Sequence, residues 1–242
     1  MKFKYLLLSF ILTLIFSTNS FSQDESVAAV EQARSVLAKY LDAIGGADAV
    51  KNIQDKTVIM RGTAMDQSVT IIIKQKHPNK LRQEVKAGGM DQVLIFDGEK
   101  AVMKVAGQTI NIEGKELEQF KVESTMELMY NPESLGIKIT YDGNEKDGDN
   151  LLHKVKFTLP SGLNWVSYID DKTGFKVKET KETETQMGLI TQILEYSDYQ
   201  DVDGIKIPFK MKQSFGPQSI EMTISSVKIN KGIPDDTFVI SE

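Results

Sequence analysis

Apolar and polar residues alternate one by one along much of the chain after residue 56. In residues 205–211, for example, isoleucine, phenylalanine and methionine take every second position, with lysine or proline between them. A period of two places successive side chains on opposite faces of a β-strand, so one face is buried and the other is in water. Turn signals at residues 77–79 and 97–98 separate such stretches. Short strands joined by tight turns predict an antiparallel meander.

Two segments have helical spacing instead of alternation. Residues 25–44 carry apolar residues at three- to four-residue steps and end at Gly45-Gly46, which is typical of a helix C-terminus. Residues 47–53 are expected to add a short further helix. Residues 115–130 place leucine, phenylalanine and methionine among glutamate and lysine, and a proline follows shortly after. The sequence therefore predicts an α+β fold that is mostly β, with about ten or eleven strands and two main helices.

Four smaller features refine this expectation. The polar residues 142–150 are expected to form a loop, and residues 198–204 a turn between strands. Pro208 lacks a backbone N–H donor, which favours an edge strand or a bulge. The alternation slips before Val227, and a slip of this kind fits a β-bulge.

The first residues have the composition of a secretory signal. Lys2 and Lys4 precede an apolar segment at residues 6–16, and small polar residues follow up to Ser22. The competing interpretation is a membrane anchor, but the apolar segment is well short of the roughly 20 residues that a helix needs to cross a bilayer. We therefore expect cleavage after Ser22 and one domain over residues 23–242.

The chain contains no cysteine. Disulfides, thiolate metal sites and thiol nucleophiles are therefore excluded. An exported domain without disulfides must rely on core burial, which suits a bacterial periplasm. The net charge of −5 and the lack of a basic block argue against nucleic acid as a partner.

Catalytic motifs are hard to find. The two histidines are His77 in a turn and His153 in a strand pattern, and neither the HExxH nor the GxSxG pattern occurs. The acidic residues 142–149 resemble a calcium loop but lack its closing glutamate at the correct offset, and a solvated hairpin loop accounts for the same residues. Paired carboxylates serve glycoside hydrolases, but 34 of the 242 residues are acidic, so chance proximity is expected. We therefore expect no enzyme, no catalytic residue, no metal and no cofactor.

Methionine is the positive signal in the composition, with ten in the chain including the initiator. Methionine side chains adapt to irregular apolar partners and recur at promiscuous surfaces. One interpretation is that they fill a core. The other is that they line a cleft, because a long curved sheet with two helices has difficulty filling its concave face. The predicted topology favours the cleft.

Three stretches of the chain resemble the LolA-like superfamily of periplasmic lipoprotein and lipid carriers, the bacterial outer-membrane lipoprotein-sorting group. They are residues 40–50 (YLDAIGGADAV), 196–208 (YSDYQDVDGIKIP) and 229–238 (INKGIPDDTF). The resemblance extends over the whole chain after the signal. It implies an unclosed antiparallel β-barrel, with helices covering its open side and an apolar cavity between.

In carrier members of this group, lid helices move aside so that lipoprotein acyl chains enter the cavity. On this chain the resemblance implies a lid formed by residues 25–44 and 115–130. A buried arginine helps to govern the closed lid in the sorting carrier. Arg61 is the candidate counterpart, although no family motif surrounds it and it is not counted among the site residues.

The resemblance and the apolar pattern imply a monomeric periplasmic carrier or chaperone that binds lipoprotein acyl chains or phospholipid for transfer towards the outer membrane. An inner-membrane transporter and an outer-membrane acceptor are the implied protein partners. The alternative is a non-catalytic envelope sensor or protein-interaction domain on the same fold. The residues expected to line the cavity or lid are Val30, Leu37, Leu41, Phe120, Met126, Met129, Phe157, Trp165, Phe209, Met211 and Met222.

Overall fold

A single antiparallel sheet dominates the computed structural model, which describes residues 20–64, 67–185 and 188–240. Within those residues the sheet has thirteen strands. They are β1 Asp55–Ala64, β2 Gln67–Lys76, β3 Lys80–Ala87, β4 Met90–Phe96, β5 Ala101–Val105, β6 Gln108–Ile112, β7 Lys138–Asp147, β8 Asn150–Thr158, β9 Asn164–Asp170, β10 Lys176–Thr185, β11 Gly188–Val202, β12 Ile205–Phe215 and β13 Gln218–Ile229. The outer strands β6 and β7 do not pair with each other, so the sheet is an unclosed barrel. The predicted fold class is confirmed, although thirteen strands exceed the expected ten or eleven.

Part of the difference comes from polar segments that the sequence pattern assigned to loops. Residues 142–147 continue β7, so the expected loop over residues 142–150 is a hairpin whose turn is at Gly148-Asp149. Residues 198–202 belong to β11, and the turn is confined to Asp203-Gly204. Alternation identifies strands that have one buried face. Alternation therefore does not identify these strand ends, because they carry polar residues on both faces and extend past the apolar core.

The chain order explains how the sheet is assembled. The strands run outward from β1 to β6, residues 113–137 lead to the far edge, and the strands return from β7 to β13. The first strand thus pairs with the last. Their register shifts between Ile59 and Met60, which leaves Ser225 without a paired residue on β1. This irregularity confirms the bulge that was predicted before Val227.

Pro208 lies in an interior strand but in a locally edge-like position. It faces Tyr199 of β11, whereas the pairing of β12 with β13 begins only at Lys210. The missing N–H donor of Pro208 therefore interrupts no pairing on the β13 side. On that side of β12, the backbone N–H of Lys206 donates instead to the carbonyl of Ile44 at 2.9 Å.

Helix α1, Ser20–Ala43, packs on β7 and β8. Its residues Ala33, Val36 and Leu37 are buried in one cluster with Phe157 and Trp165. The helix begins before the expected residue, so the predicted cleavage after Ser22 would fall in its first turn, and residues 1–19 of the predicted signal lie outside the described residues. The short helix that was expected at residues 47–53 is α2, Ala47–Lys51.

Helix α3, Gly114–Ser124, is shorter than the helix predicted over residues 115–130. Thr125 is extended, with ψ of 143°, and its hydroxyl oxygen accepts a hydrogen bond from the N–H of Glu127 at 3.2 Å. Local side-chain-to-backbone hydrogen bonds of this kind compete with helix continuation. The predicted helix was therefore wrong beyond Ser124. Met126 and Met129, which were expected on this helix, lie in the segment after it. Short 3₁₀ helices occupy Pro132–Leu135 and Asp235–Phe238.

Helices α1 and α3 lie on the same face of the sheet, which we call the inner face. Ile73 of β2 packs against the cluster that contains Phe120 of α3 and also against the cluster around Met60 and Met222. Arg61 is the next residue after Met60, so it lies on the outer face, and it is exposed. The expectation that Arg61 corresponds to a buried arginine was wrong.

Among the described helices, none is long and apolar enough to span a membrane.

Three separated parts of the chain meet at one end of the sheet, which we call the strand-end junction. Gly45 approaches the turn between β11 and β12 so closely that a Cβ atom there would lie 2.3 Å from the carbonyl oxygen of Gly204. On the other side, the amide oxygen of Asn230 accepts the N–H of Gln54 at 2.7 Å. The Asp55 carboxylate accepts the backbone N–H groups of residues 231 and 232 at 3.0 and 2.9 Å. The three stretches that carry the sequence resemblance are therefore the parts that form this junction.

Replacing Gly45 by alanine should destabilise the protein more than replacing Gly46. Both glycines have positive φ, 127° and 95°, so alanine is strained at either position by about 1–3 kcal/mol. Only Gly45 adds a clash with Gly204, because a Cβ atom at Gly46 would meet nothing within 4 Å. Urea denaturation of the two variants measures the difference, and equal free energies of unfolding would contradict the close approach.

Candidate functional site on the inner face

Eight of the eleven predicted site residues are distributed over three apolar clusters. Val30, Leu37, Met129, Phe157 and Trp165 belong to the cluster under α1, where the last two side chains are fully buried. Phe120 packs in the cluster under α3. Met211 and Met222 belong to a third cluster, on β1, β2, β12 and β13. The three remaining residues, which are outside these clusters, are a buried Leu41 and the half-buried Met126 and Phe209.

We call the third cluster the methionine floor. The strand register builds it, because Met211 of β12 is directly opposite Met222 of β13, and Met60 of β1 is opposite Ile224. Met60 and Met222 are buried, whereas the residues packed around them keep part of their surface exposed. The floor consists of Val58, Met60 and Met222, surrounded by Ile71, Ile73, Met211, Ile220, Ile224 and Val227.

A buried glutamate lies beside the methionine floor. Glu179 of β10 is 3% exposed. Its carboxylate accepts hydrogen bonds from the hydroxyl groups of Ser167 at 3.3 Å and Tyr196 at 3.1 Å. The ammonium groups of Lys176 and Lys181 lie 3.4 and 3.8 Å from the same carboxylate. Three neighbouring strands thus converge on one buried charge, and we call these five residues the glutamate network.

The glutamate network connects the sheet to α3. The ammonium of Lys181 lies 3.6 Å from the Glu123 carboxylate and 4.3 Å from the centre of the Trp165 ring. The amide of Gln119 donates to the hydroxyl of Thr183 at 3.3 Å. Helix α3 is therefore attached to β10 through polar groups, in addition to its apolar side chains.

The charges of the network shift the pKa values of its members. Burial opposes ionisation of Glu179, but Lys176, Lys181 and the hydroxyl of Tyr196 outweigh it, so the pKa of Glu179 lies below its ordinary value of 4.5. Burial lowers the pKa of Lys176. Burial also acts on Lys181, but the nearby glutamates outweigh it and raise its pKa. Burial and the adjacent Glu179 raise the pKa of Tyr196 well above the usual value.

The sequence analysis missed the glutamate network. The one available signal was the composition of residues 178–185, where charged residues and threonine fill both alternating sets of positions. A solvated edge strand has the same composition. The interior position of β10 arises from its pairing with β9 and β11, which a local pattern does not specify.

Two cavities lie outside the methionine floor and the glutamate network. One of about 340 Å³ is at the strand-end junction and is lined by Ala49, Asn52, Ile53, Asp203, Ile205, Ile229, Asn230 and Lys231. The other, of about 230 Å³, lies beside α3 and contacts Val122, Leu135 and Leu159. Within the ranges that the structure describes, no group of three or more histidine or acidic residues is placed to hold a metal.

Replacing Glu179 by glutamine should lower the free energy of unfolding at pH 7 by about 3–5 kcal/mol, because Lys176 and Lys181 would lose their buried counter-charge. The pKa of Glu179 is depressed in the folded protein, so its contribution is present above about pH 4.5 and is lost as the pH falls. The E179Q variant should lack this part of the pH dependence. Urea denaturation at pH 7 and at about pH 3.5 measures both effects.

Glu195→Gln is the matched control on the neighbouring strand, because the side chain of Glu195 is 51% exposed. An exposed pair of this kind contributes about 0–1 kcal/mol. Equal destabilisation by E179Q and E195Q would contradict a buried, charge-compensating role for Glu179.

Comparison with known proteins shows similarity in fold but not in sequence. No family model matches the chain, and no curated protein matches it. A DUF1329 family protein from Desulfovibrio piger has a TM-score of 0.58 at 12% identity, with 87% of this chain and 97% of that chain covered. A LolA superfamily protein from Nitrosomonas europaea has a TM-score of 0.57 at 15% identity, with 86% and 97% covered.

A third solved structure belongs to the same group. It is a domain from Vibrio parahaemolyticus assigned to outer membrane lipoprotein sorting, with a TM-score of 0.54 at 12% identity and 86% and 97% of the two chains covered. Identities this low show the fold alone. Together with the unclosed antiparallel sheet and its helices on one face, these matches show that the chain has the LolA-like fold.

Proposed function

We propose that this protein is an exported carrier that binds the acyl chains of a lipid or lipoprotein on the methionine floor. The observation that carries the proposal is the set of partly exposed apolar side chains, four isoleucines with Met211 and Val227, around the buried Met60 and Met222 on the inner face. Methionine side chains adapt to apolar ligands of variable shape. The LolA-like fold supports the proposal, because solved structures with this fold include a domain assigned to lipoprotein sorting.

Apolar burial alone supplies enough free energy for this function. Each buried methylene group contributes about 0.8 kcal/mol. Burial of about ten methylene groups therefore corresponds to a dissociation constant in the micromolar range before the costs of ordering the chain. Carriage requires such moderate affinity, because the ligand must also be released.

The remaining predicted site residues have a second role in this proposal. Val30, Leu37 and Leu41 of α1, and Phe120, Met126 and Met129 in and after α3, form the cover of the inner face. Phe157 and Trp165 are fully buried beneath α1, so they contact a ligand only if that helix is displaced. The cargo passes from an inner-membrane transporter to an outer-membrane acceptor, and the chain performs no chemistry on it.

Replacing Met211 by aspartate should abolish retention of acyl lipids, because the charge would enter the half-exposed part of the floor. Native mass spectrometry of the protein purified from a bacterial periplasm measures the bound lipid. Thr223→Asp is the matched control: it adds the same charge on the adjacent strand, but its side chain is exposed on the outer face.

A thermal melt of each variant separates loss of binding from loss of folding. Retention of lipid by a folded M211D variant would contradict the proposed location. A wild-type protein that carries no lipid would contradict the carrier function and favour the protein-binding alternative.

Export makes a second prediction. The mature protein recovered from the periplasmic fraction should begin at Gln23, because the apolar segment at residues 6–16 ends in small polar residues before the acidic residues that follow. N-terminal sequencing and intact mass measure the cleavage site. Recovery of a chain that still carries residues 1–22 in the membrane fraction would contradict it.

A further inference from the structure

Lys56 occupies an unusual position at one end of the methionine floor. It lies on β1 two residues before Val58 and four before Met60, so all three side chains point to the inner face. Its side chain is half-buried. Within the residues that the structure describes, no carboxylate lies within salt-bridge distance of its ammonium.

A second positive charge, on Lys176, makes the charged form of Lys56 less favourable. The ammonium of Lys176 lies close enough to repel that of Lys56, and burial first and this repulsion second lower the pKa of Lys56. Lys176 itself shares the carboxylate of Glu179 with Lys181. Glu179 is therefore already shared by two lysines, and Glu123 is a further partner of Lys181 alone. With Lys56 beside Lys176, three ammonium groups stand against the two carboxylates of Glu123 and Glu179.

An unpaired ammonium in such an environment is costly unless an anion joins it. The apolar floor begins at the next inward residue of the same strand. The Cα atoms of Lys56 and Met60 are about 13 Å apart along an extended strand. A ligand with an acyl chain over Met60 and Val58 would therefore bring its polar end to Lys56.

We propose that Lys56, assisted by Lys176, binds the anionic headgroup, a carboxylate or a phosphate, of the acyl ligand that the methionine floor holds. This inference rests on the proposed function, since it assigns the polar end of the same ligand. It predicts that the protein selects anionic amphiphiles over neutral ones of equal chain length.

The experiment compares three probes that share a twelve-carbon chain: dodecanoate, dodecyl phosphate and methyl dodecanoate. Binding to the delipidated mature protein is measured by calorimetry at pH 7. A charge-assisted hydrogen bond makes at least one anion bind about tenfold more tightly than the ester. Lys56→Met should remove that preference and leave the affinity for the ester unchanged. Lys228→Met, on the neighbouring strand with an exposed side chain on the outer face, should preserve it.

Thermal stability of the ligand-free variants separates binding from a structural role. K56M should raise Tm by a few degrees, because it replaces an unpaired interior charge with an apolar side chain of similar volume. A structural lysine would instead lower Tm when it is replaced. A lower Tm of K56M would therefore overturn the assignment.

The remaining outcomes distinguish this inference from the proposed function. A preference for dodecyl phosphate supports a phospholipid headgroup, and a preference for dodecanoate supports a fatty-acid carboxylate. Equal binding of all three probes, or a preference that persists in K56M, overturns the headgroup site and leaves acyl binding intact. Failure of the wild-type protein to bind any probe overturns both.

Discussion

The pairing of β1 with β13 is the contact on which the rest of the structure depends. In the described part of the chain, it is the one strand pair that joins the first strand to the last. It connects strands β1–β6 to strands β7–β13 within the single sheet. The strand-end junction fixes its register, because Asn230 and Asp55 bond the backbone on both sides of the seam. A shift by one residue would turn either Met60 or Met222 to the outer face. The floor and its neighbouring charges therefore exist because this seam closes correctly.

The inner face places an apolar cluster beside a group of buried charges. Its apolar part contains isoleucine together with methionine, whose unbranched side chain adapts to irregular neighbours. Its polar part holds Glu179 among Ser167, Tyr196 and two lysines, an arrangement that contributes little net stability because each charge loses its hydration. A fold that needed only stability would place apolar residues here. The proposed ligand, with an apolar and an anionic part, would match both environments.

The sequence predicted the parts of the structure that have one buried and one exposed face. Strands such as β9 and β12, helix α1 and the bulge at Ser225 all follow from periodicity, and the three stretches with family resemblance proved to be the strand-end junction. The prediction was wrong where a local hydrogen bond or long-range strand pairing determines the structure of a segment. Residues 142–147 are a strand without a buried stripe, and Thr125 ends α3 through a local hydrogen bond. Glu179 was missed because only the neighbours of β10 make it interior.

The two helices that cover the inner face are held by different forces, and this difference bears on how a ligand would enter. Helix α1 buries Ala33, Val36 and Leu37 against a large apolar cluster, so its displacement would expose that cluster to water at a cost of several kcal/mol. Helix α3 also packs apolar side chains, but Gln119 and Glu123 attach it to β10 through polar contacts. Displacing α3 would also expose Val122, which lies in the same buried cluster as the α1 side chains. The polar contacts to β10 are therefore what distinguishes α3 from α1, and α3 can leave the sheet only if Glu123 separates from Lys181.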